Sequence, residues 1–482
     1  MVTLRRSAVE IRPDPQRVVA KAFLPGEAAF AGGPSRVELI ANRVLALTNS
    51  EAEELLDRTR ESFAGRHSDL ESVWEENLRS AVAMVPTLTG VQGERRALLG
   101  AFFTQEYTPE AAAVCNPSMV PAPGADGDGR FVMSLRAIGE GHISSVEFRT
   151  GRVDDEGSVA LDAPGRFLHL GDRRAPLYEQ EVFRHKLVAL NADATLVGMV
   201  MDDLPERFSA GELDAALEML ERRDVSAAAA FETRKLTHWL ASSNYELGYA
   251  EDVPISERIL LPSSPAESRG IEDARFVRFA EDDGTVTYYA TYTAYDGFTI
   301  LPQLIETADF TTFRFATLNG TCARNKGMAL FPRRIGGLYA ALGRHDQENL
   351  HVLRSDQPRV WNYAEMISSP KHGWETVQIG ACGSPIETEE GWLVLTHGVG
   401  PMRRYALGAF LLDLEDPSRL IGRLDTPLLE PAADERNGYV PNVVYSCGGM
   451  LHGAWLVIPY GFADEGVRLV TVSVEELLGE MT

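Results

Sequence analysis

The feature that most constrains the fold is a recurrence of short β-type segments along the second half of the chain. From residue 245 to the end, runs rich in β-branched and aromatic residues alternate with turns, and new units begin near residues 270, 325, 380 and 438. A spacing of roughly 50 residues per multi-stranded unit is typical of a β-propeller. Together with an earlier β unit near residue 116, the pattern predicts a mainly β fold with a five-bladed propeller.

Helical patterns precede these β units. The N-terminal helices are predicted at residues 49–63, 69–84 and 94–103. The first of them is expected to begin with a capping box, because Ser50 precedes Glu53 by three residues. We interpret these helices as a packed cap or an oligomerisation element.

The predicted domain organisation follows from these patterns. Residues 1–105 should form an N-terminal region that combines a short β segment with helices. Residues 106–482 should form the propeller, interrupted by a helical insertion at about 179–240. A chain of 482 residues is long enough for both parts.

The acidic composition argues against nucleic acid and anionic membranes as partners. The formal net charge is −24, from 70 Asp and Glu against 46 Lys and Arg. Four widely spaced cysteines indicate neither a zinc site nor a disulfide framework. No metal-ligand spacing and no glycine-rich phosphate loop is present, so no metal or other cofactor is expected. The N-terminus lacks the apolar core of a signal peptide, and no apolar run is long enough to cross a membrane, so a cytoplasmic location is predicted.

One short segment carries an unusual density of charge. Glu272, Asp273 and Arg275 fall within four residues at the start of a predicted β-hairpin, whose two runs cover 270–279 and 286–297. Adjacent acidic residues are most often solvated surface. The segment is nevertheless a candidate functional site, because a propeller brings the first strands of all its blades together around one axis.

Residues at the entrance to each unit could therefore meet in one central pocket. Such a group of carboxylates, amides, hydroxyls and aromatic rings suits a carbohydrate, and cleavage of a glycosidic bond requires an acid together with a base or nucleophile. The candidate residues are Asn116, Ser118, Arg136, Glu272, Asp273, Tyr292, Arg275, Asp296, Asn325, Lys326, Arg344, Glu387, His397, Glu435, Asn442 and Asp464.

Simpler interpretations stand beside these candidates. Glu387 precedes an acidic turn and could be part of a solvated hairpin. His397 could be an ordinary histidine at the end of a strand, and Lys326 could do no more than pair with a nearby acid.

Several ordered motifs resemble those of glycoside hydrolase family 130. They are GIEDAR at 270–275, NKGMALFP at 325–332, PIETEEGWL at 385–393, THGVG at 396–400, GAFLLDL at 408–414 and ERNGYVPNVVY at 435–445. The resemblance covers about residues 245–475 well and 116–150 more loosely. It implies a five-bladed propeller that acts on β-mannosides, either as an inverting phosphorylase releasing α-mannose 1-phosphate or as an inverting β-1,2-mannosidase.

The resemblance also implies roles for individual residues. Asp273 would be the general acid, acting through a substrate hydroxyl, and Arg275 would orient it. The family motif has proline where this chain has Ala274, which changes backbone stiffness more than chemistry. Phosphorylases of the family tend to carry lysine at the position of Glu387. A glutamate would repel phosphate and could instead activate water.

The main hypothesis from the sequence is therefore an inverting β-1,2-mannosidase with Glu387 as base. Glu435 is an alternative or second base, and the sugar pocket would include Asn116, Arg136 and His397, with Tyr292 and Asp296.

Two other hypotheses stay open. One is a β-1,2-mannoside phosphorylase, which would use inorganic phosphate held by Arg324, Lys326, Arg344 and His397. The other is a propeller that binds glycans without catalysis. A homo-oligomer is what the family resemblance implies.

Overall fold

The computed structural model describes residues 2–26, 34–125 and 127–481. The fold is mainly β, as predicted. The chain divides into two compact units. The larger unit comprises Met1–Pro13, Ala112–Pro164 and Leu170–Thr482, and the smaller comprises Asp14–Ala111 and Gly165–His169. The division differs from the one expected at residue 105, because the first strand belongs to the larger unit.

The smaller unit is a four-helix cluster with one two-stranded sheet. Its helices are Arg36–Leu45, Asn49–Phe63, Leu70–Met84 and Glu94–Phe102, and its strands are Val19–Ala22 and Thr104–Tyr107. The predicted capping box is shifted by two residues. The Thr48 side chain accepts a hydrogen bond from the Glu51 amide, and the Glu51 carboxylate accepts one from the Thr48 amide. Ser50 and Glu53 lie inside the helix instead.

The helical insertion in the larger unit has a hydrophobic core of its own. Its helices are Gln180–Ala189, Ala194–Met201, Ala210–Glu221 and Ala227–Ser242. Each presents apolar residues at helical spacing to the others, among them Leu187, Val197, Leu217 and Leu240. Across the three described ranges, no helix combines the length and the apolar character that a membrane span requires.

The largest sheet joins two antiparallel groups of strands. The first group is Ala113–Pro121, Arg130–Ile138, Ser144–Val153 and the short Val159–Leu161. The second is Gly270–Ala280, Val286–Tyr295, Ile300–Thr307 and Thr312–Thr317, extended by Tyr245–Gly248 and Asp172–Arg174. Arg258–Leu260 also pairs with Ser144–Val153. A single parallel pair, Gly270 with Ser144, connects the two groups.

Three further antiparallel sheets follow along the chain. The first contains Ala329–Leu330, Tyr339–Gly343, Leu350–Ser355 and Tyr363–Ser368. The second contains Gln378–Ala381, Ile386–Glu387, Trp392–Val399, Tyr405–Leu412 and Leu420–Arg423. The third contains Val444–Tyr445, Met450–His452, Trp455–Phe462, Gly466–Ser473 and the N-terminal strand Arg5–Ile11. Because Arg5–Ile11 pairs with Gly466–Ser473, the two ends of the chain meet in one sheet.

Among the other short elements, the strand His169–Leu170 belongs to the largest sheet, and Tyr178–Glu179 pairs with Arg207–Phe208 in a two-stranded sheet. The helix Val474–Gly479 follows the last strand.

Candidate active site

A break in the β-ladder positions Asp273. In the predicted hairpin, the register between Gly270–Ala280 and Val286–Tyr295 shifts between Glu272 and Arg275, and Asp273 takes a left-handed backbone with φ of 57°. Successive side chains of a regular strand point to opposite faces. The bulge lets both carboxylates reach Arg136, whose guanidinium donates to Glu272 Oε1 at 2.6 Å and to Asp273 Oδ1 at 3.4 Å.

A second bulge with a left-handed residue occurs at Asn116. The register of its strand shifts between Cys115 and Ser118, Asn116 has φ of 48°, and its Nδ2 donates to Asp273 Oδ1 at 2.5 Å. Asn325, Asn442 and Asp464 are also left-handed, with φ of 61°, 61° and 49°. Asn and Asp tolerate this region better than other side chains, and such strained positions cluster at functional sites.

Asp273 opens into a compact cavity of about 190 Å³. The lining residues are Asn116, Arg136, Asp273, Arg275, Lys326, Gly327, Arg344, Gln378, His397, Arg403, Tyr405, Val440, Val443, Tyr445 and Asp464. Five of these side chains are basic and two are carboxylates, so the lining is net positive in a chain whose net charge is −24. A local excess of positive charge favours an anionic ligand.

Arg275 is a structural support of this cavity. Its side chain is buried, and it donates to the main-chain oxygens of Cys382 and Asp273, both at 2.9 Å, and to the Tyr445 hydroxyl at 2.8 Å. These bonds join the hairpin of Asp273 to two other sheets. Because three of its five N–H donors already bind the protein, Arg275 fixes geometry and contributes charge more than it offers free hydrogen bonds.

Arg344 differs from Arg275 because part of its hydrogen-bonding capacity is unused. Its Nε and Nη1 atoms are buried and have no hydrogen-bond partner among the residues that the structure describes. Burial, reinforced by the nearby charge of Arg275, lowers the pKa of Arg344, although a guanidinium stays protonated. Unpaired buried donors on a cation carry a desolvation cost that a bound anion would remove.

The pKa values of the two carboxyl groups in the lining are shifted in opposite directions. Although burial opposes ionisation of Asp273, the charges of Arg136, Arg275 and Lys326 hold its pKa below the ordinary value. Burial raises the pKa of Asp464 to about 6, and the charge of Asp273 adds to this effect while that of Arg136 opposes it. Without a ligand, Asp273 is therefore an anion at neutral pH, and Asp464 takes up a proton more readily.

His397 is a neutral group of the wall. Burial, followed by the charges of Arg344 and Arg275, holds its pKa well below the ordinary value. Its Nδ1 is buried and has no hydrogen-bond partner within the three described ranges, and its ring lies against Tyr445 at 4.9 Å between centroids. His397 can therefore offer hydrogen bonding to a ligand without adding charge.

The structure does not bring the predicted base Glu387 into this cavity. Glu387 lies in a short edge strand, with 42% of its side chain exposed, and it accepts two hydrogen bonds from Arg333 at 2.6 and 2.9 Å. It lines a different cavity of about 480 Å³. Its environment is that of the solvated hairpin that the simpler interpretation described.

The second predicted base, Glu435, is also placed away from the lining. It is fully buried and accepts hydrogen bonds from the Tyr460 hydroxyl at 2.7 Å and from the guanidinium groups of Arg6 and Arg468 at 2.9 and 3.0 Å. It also accepts from the amide of Ala432. With four donors on one carboxylate, Glu435 holds the N-terminal and C-terminal strands together.

Eight of the predicted residues line the cavity of Asp273: Asn116, Arg136, Asp273, Arg275, Lys326, Arg344, His397 and Asp464. Glu272 lies directly behind them, because it accepts hydrogen bonds from both Arg136 and Lys326. Arg324 is exposed and is not part of the lining.

Other predicted residues support the fold around the cavity. Ser118 Oγ accepts a hydrogen bond from the Phe276 amide at 3.0 Å, which ties the first β unit to the hairpin of Asp273. The Tyr292 hydroxyl donates to the buried Glu267 at 2.6 Å and so points away from the cavity.

The last three predicted residues stabilise loops. Asn325 donates to the main-chain oxygen of His345 at 2.6 Å, and Asn442 accepts from Arg436 at 2.8 Å. The Asp296 carboxylate accepts from main-chain amides two and three residues later, as an Asp in a tight turn commonly does. It lines a separate cavity beside the helical insertion.

Four polar lining residues were not predicted, namely Gln378, Arg403, Tyr405 and Tyr445. Tyr445 ends the motif at 435–445, so its position at a unit entrance was a usable signal. Arg403 carries no such signal, because in the sequence it resembles a surface arginine. It reaches the cavity from a loop in which Met402 and Arg403 both have left-handed backbones.

The chain is similar to several known proteins. The model of glycoside hydrolase family 130, described as beta-1,4-mannooligosaccharide phosphorylase, matches residues 250–482. A beta-1,2-mannobiose phosphorylase of Listeria innocua is 33% identical over 229 residues, which are 46% of this chain and 63% of that protein. The match thus spans less than two thirds of that relative. Its solved complex with beta-1,2-mannobiose aligns with a TM-score of 0.45 and 24% identity, covering 77% of this chain and 92% of that one.

Two relatives from Thermoanaerobacter sp. strain X514 are matched over more of their length. A 1,2-beta-oligomannan phosphorylase is 32% identical over 48% of this chain and 79% of its own length. A beta-1,2-mannobiose phosphorylase is 34% identical over 48% of this chain and 78% of its own length. On these similarities, and on the motifs around Asp273, the chain belongs to glycoside hydrolase family 130.

Proposed function

We propose that this protein is an inverting β-mannoside phosphorylase that cleaves β-1,2-linked mannosides with inorganic phosphate and releases α-mannose 1-phosphate. The observation that carries the proposal is Arg344, whose buried Nε and Nη1 have no partner in the described part of the chain and lie in a net-positive cavity that also contains Asp273. The names of the relatives support the choice of substrate, since three of them are phosphorylases of β-1,2-linked mannosides.

In this proposal phosphate binds to the cationic wall, with Arg344 supplying charge-assisted hydrogen bonds and Arg403 and Lys326 adding positive charge. A phosphate oxygen attacks the anomeric carbon from the face opposite the leaving group. The new C–O bond forms as the glycosidic C–O bond breaks, and the configuration inverts. Asp273 supplies the proton that the leaving oxygen requires, through a hydroxyl of the substrate.

The low pKa of Asp273 in the unliganded cavity fits this sequence of events. Arg136, Arg275 and Lys326 keep its carboxylate ionised before substrates bind. A phosphate anion in the same cavity adds negative charge, which favours protonation of a neighbouring carboxyl. We therefore infer that phosphate binding itself prepares Asp273 to act as an acid.

A phosphorylase also needs fewer carboxylates than a hydrolase. An inverting hydrolase requires a second carboxylate to activate water, at roughly 6.5–9.5 Å from the acid. Glu387, which the sequence suggested for this task, lines another cavity and is paired with Arg333. Phosphate is already a nucleophilic anion and needs no such base. Asp464 is the remaining carboxylate of the lining and would be the base if the protein were a hydrolase.

We also propose that the larger unit is a five-bladed β-propeller. Its strands form five antiparallel groups in chain order, and the strand Arg5–Ile11 completes the last group by pairing with Gly466–Ser473. Closure of the last blade by the N-terminal strand would join the two ends of a ring. The cytoplasmic location and the homo-oligomer remain predictions.

The test is product analysis on β-1,2-mannobiose, with and without inorganic phosphate. We expect α-mannose 1-phosphate and one equivalent of mannose, formed only when phosphate is present. Release of mannose from both sugar units at a rate independent of phosphate would establish a hydrolase and direct attention to Asp464. Binding of mannobiose without turnover in either condition would favour a non-catalytic glycan-binding propeller.

A further inference from the structure

A second cavity lies beside the helical insertion, apart from the cavity of Asp273. It has a volume of about 330 Å³. Its walls come from the segment 175–179, the helix Gln180–Ala189 and the strands Tyr245–Gly248 and Thr312–Thr317, all within the larger unit. The family model begins at residue 250, so the helical wall lies outside the matched region.

A buried lysine faces this cavity without a carboxylate partner. Lys186 is only 7% exposed, and its Nζ donates to the main-chain oxygen of Leu318 at 2.5 Å. Within the described ranges it forms no ion pair. An ammonium group buried without a counter-charge is costly even after the protein has relaxed around it. Burial lowers the pKa of Lys186 to about 8, so most of the charge persists at neutral pH.

The neighbouring ion pairs leave this charge uncompensated. Arg314 donates to Glu246 at 2.9 Å, and Arg359 donates to Glu306 at 2.8 and 3.0 Å. Both arginines line the cavity with their charges already matched. Arg359 has a second carboxylate in the lining, because its Nη1 lies 3.7 Å from Glu179 Oε1. Arg207 also lines it, and among the described residues it forms no ion pair. Lys186, which is buried, and Arg207, which is exposed, are thus two cations at one cavity without an ion pair among the described residues.

The rest of the wall determines what kind of anion would fit. Leu177, Phe183, Leu240 and Phe315 give the cavity apolar surface. Its volume is at the lower end of the range for small-molecule sites, about 300–1,000 Å³. The wall as a whole is more polar than apolar, so it suits a ligand that joins a charged group to a short carbon skeleton.

We propose that this cavity binds a small organic anion, a phosphate ester or a carboxylate of about monosaccharide size, whose charged group contacts Lys186 and Arg207. The anion supplies the counter-charge that the protein does not provide. The proposal is independent of the reaction proposed for the Asp273 cavity, because it concerns binding alone.

The experiment measures binding in the full-length Arg344→Gln variant, so that the anion site of the Asp273 cavity is weakened. The probes are α-mannose 1-phosphate and succinate, each titrated by calorimetry. We expect at least one probe to bind and to lose affinity at least tenfold when Lys186→Met is added. The matched control is Lys235→Met, an exposed lysine of the same insertion, and it should change affinity less than twofold.

Arg207→Gln is the second variant, and it keeps the result interpretable if Lys186→Met fails to fold. A loss of affinity in Arg207→Gln supports the site by itself. Binding of the phosphate ester alone, or of the carboxylate alone, supports the site and identifies the preferred anionic group. The proposal is overturned if neither probe binds the Arg344→Gln protein. It is also overturned if binding persists unchanged in both Lys186→Met and Arg207→Gln.

Discussion

Asp273 and Glu387, the two carboxylates that the sequence suggested as a catalytic pair, occupy very different surroundings. Asp273 is buried at a bulge with a left-handed backbone, among Arg136, Asn116 and other polar groups. Glu387 lies in an edge strand, 42% exposed, in a two-bonded ion pair with Arg333. Strain, burial and unsatisfied neighbours distinguish the first carboxylate from the second. The presence of an acidic residue in a family motif does not distinguish the two carboxylates.

The same contrast holds for the arginines beside them. Arg333 has its charge matched by Glu387, whereas Arg344 has buried donors without partners. Natural proteins satisfy most buried donors, so an exception needs an explanation. We explain Arg344 by the phosphate that the proposed reaction requires.

Neutralising each carboxylate in turn tests the difference between Asp273 and Glu387 most directly. Asp273→Asn should lower the turnover number about 10³-fold, because an amide keeps the shape and the backbone preference but cannot deliver a proton. Glu387→Gln should lower it less than about threefold, since a surface ion pair contributes little. Steady-state release of mannose 1-phosphate from mannobiose measures both. An equal loss in the two variants would restore Glu387 as a catalytic residue.

The two arginines test the phosphate site. Arg344→Gln should raise the KM for phosphate roughly 10- to 100-fold, because hydrogen bonds from a charged group contribute about 1.5–3 kcal/mol. Arg333→Gln is the matched control and should leave this KM within about twofold. Initial rates at varied phosphate and saturating mannobiose give both values. An unchanged KM in Arg344→Gln would mean that phosphate is held elsewhere or is not a substrate.

Ionised Asp464 should lower the free energy of unfolding of the protein. Its folded-state pKa is raised from 3.8 to about 6, so the folded protein binds this proton more tightly than the unfolded chain. Ionisation at pH 7 therefore costs stability, and Asp464→Asn should raise the free energy of unfolding by about 2 kcal/mol. The gain should shrink as pH falls from 6 toward 4. Urea unfolding at several pH values measures it.

A control for that experiment is Asp282→Asn, in the exposed turn of the hairpin, which should change the free energy of unfolding by less than about 0.5 kcal/mol at each pH. A gain for Asp464→Asn that does not depend on pH would show that the effect is not electrostatic.

The smallest expected effect concerns the stability of the Glu387 hairpin. Glu387→Gln should lower the free energy of unfolding by less than about 1 kcal/mol, because its partner Arg333 is also partly exposed and solvent screens the pair. The same urea series measures this. A larger loss would mean that the ion pair holds the edge strand in place.

Local patterns made much of the chain predictable. The hairpin around Asp273 was predicted, and the structure has its strands at Gly270–Ala280 and Val286–Tyr295. The helices at Asn49–Phe63 and Leu70–Met84 lie within a residue of their predicted bounds. Such elements follow from side-chain periodicity and turn residues over short distances. The family was recognisable for the same reason, because its motifs are contiguous strings.

Which entrance residues share a cavity depends on how distant strands pack together. Asn116 and Arg136 precede the family-matched region, yet both contact Asp273 across more than 130 residues of sequence. Glu387 stands at a comparable unit entrance but lines a different cavity. Sequence periodicity assigns a side chain to a face only while the strand stays regular. The bulges at Asn116 and Asp273 redirect side chains, and the packing of sheets determines which redirected residues meet.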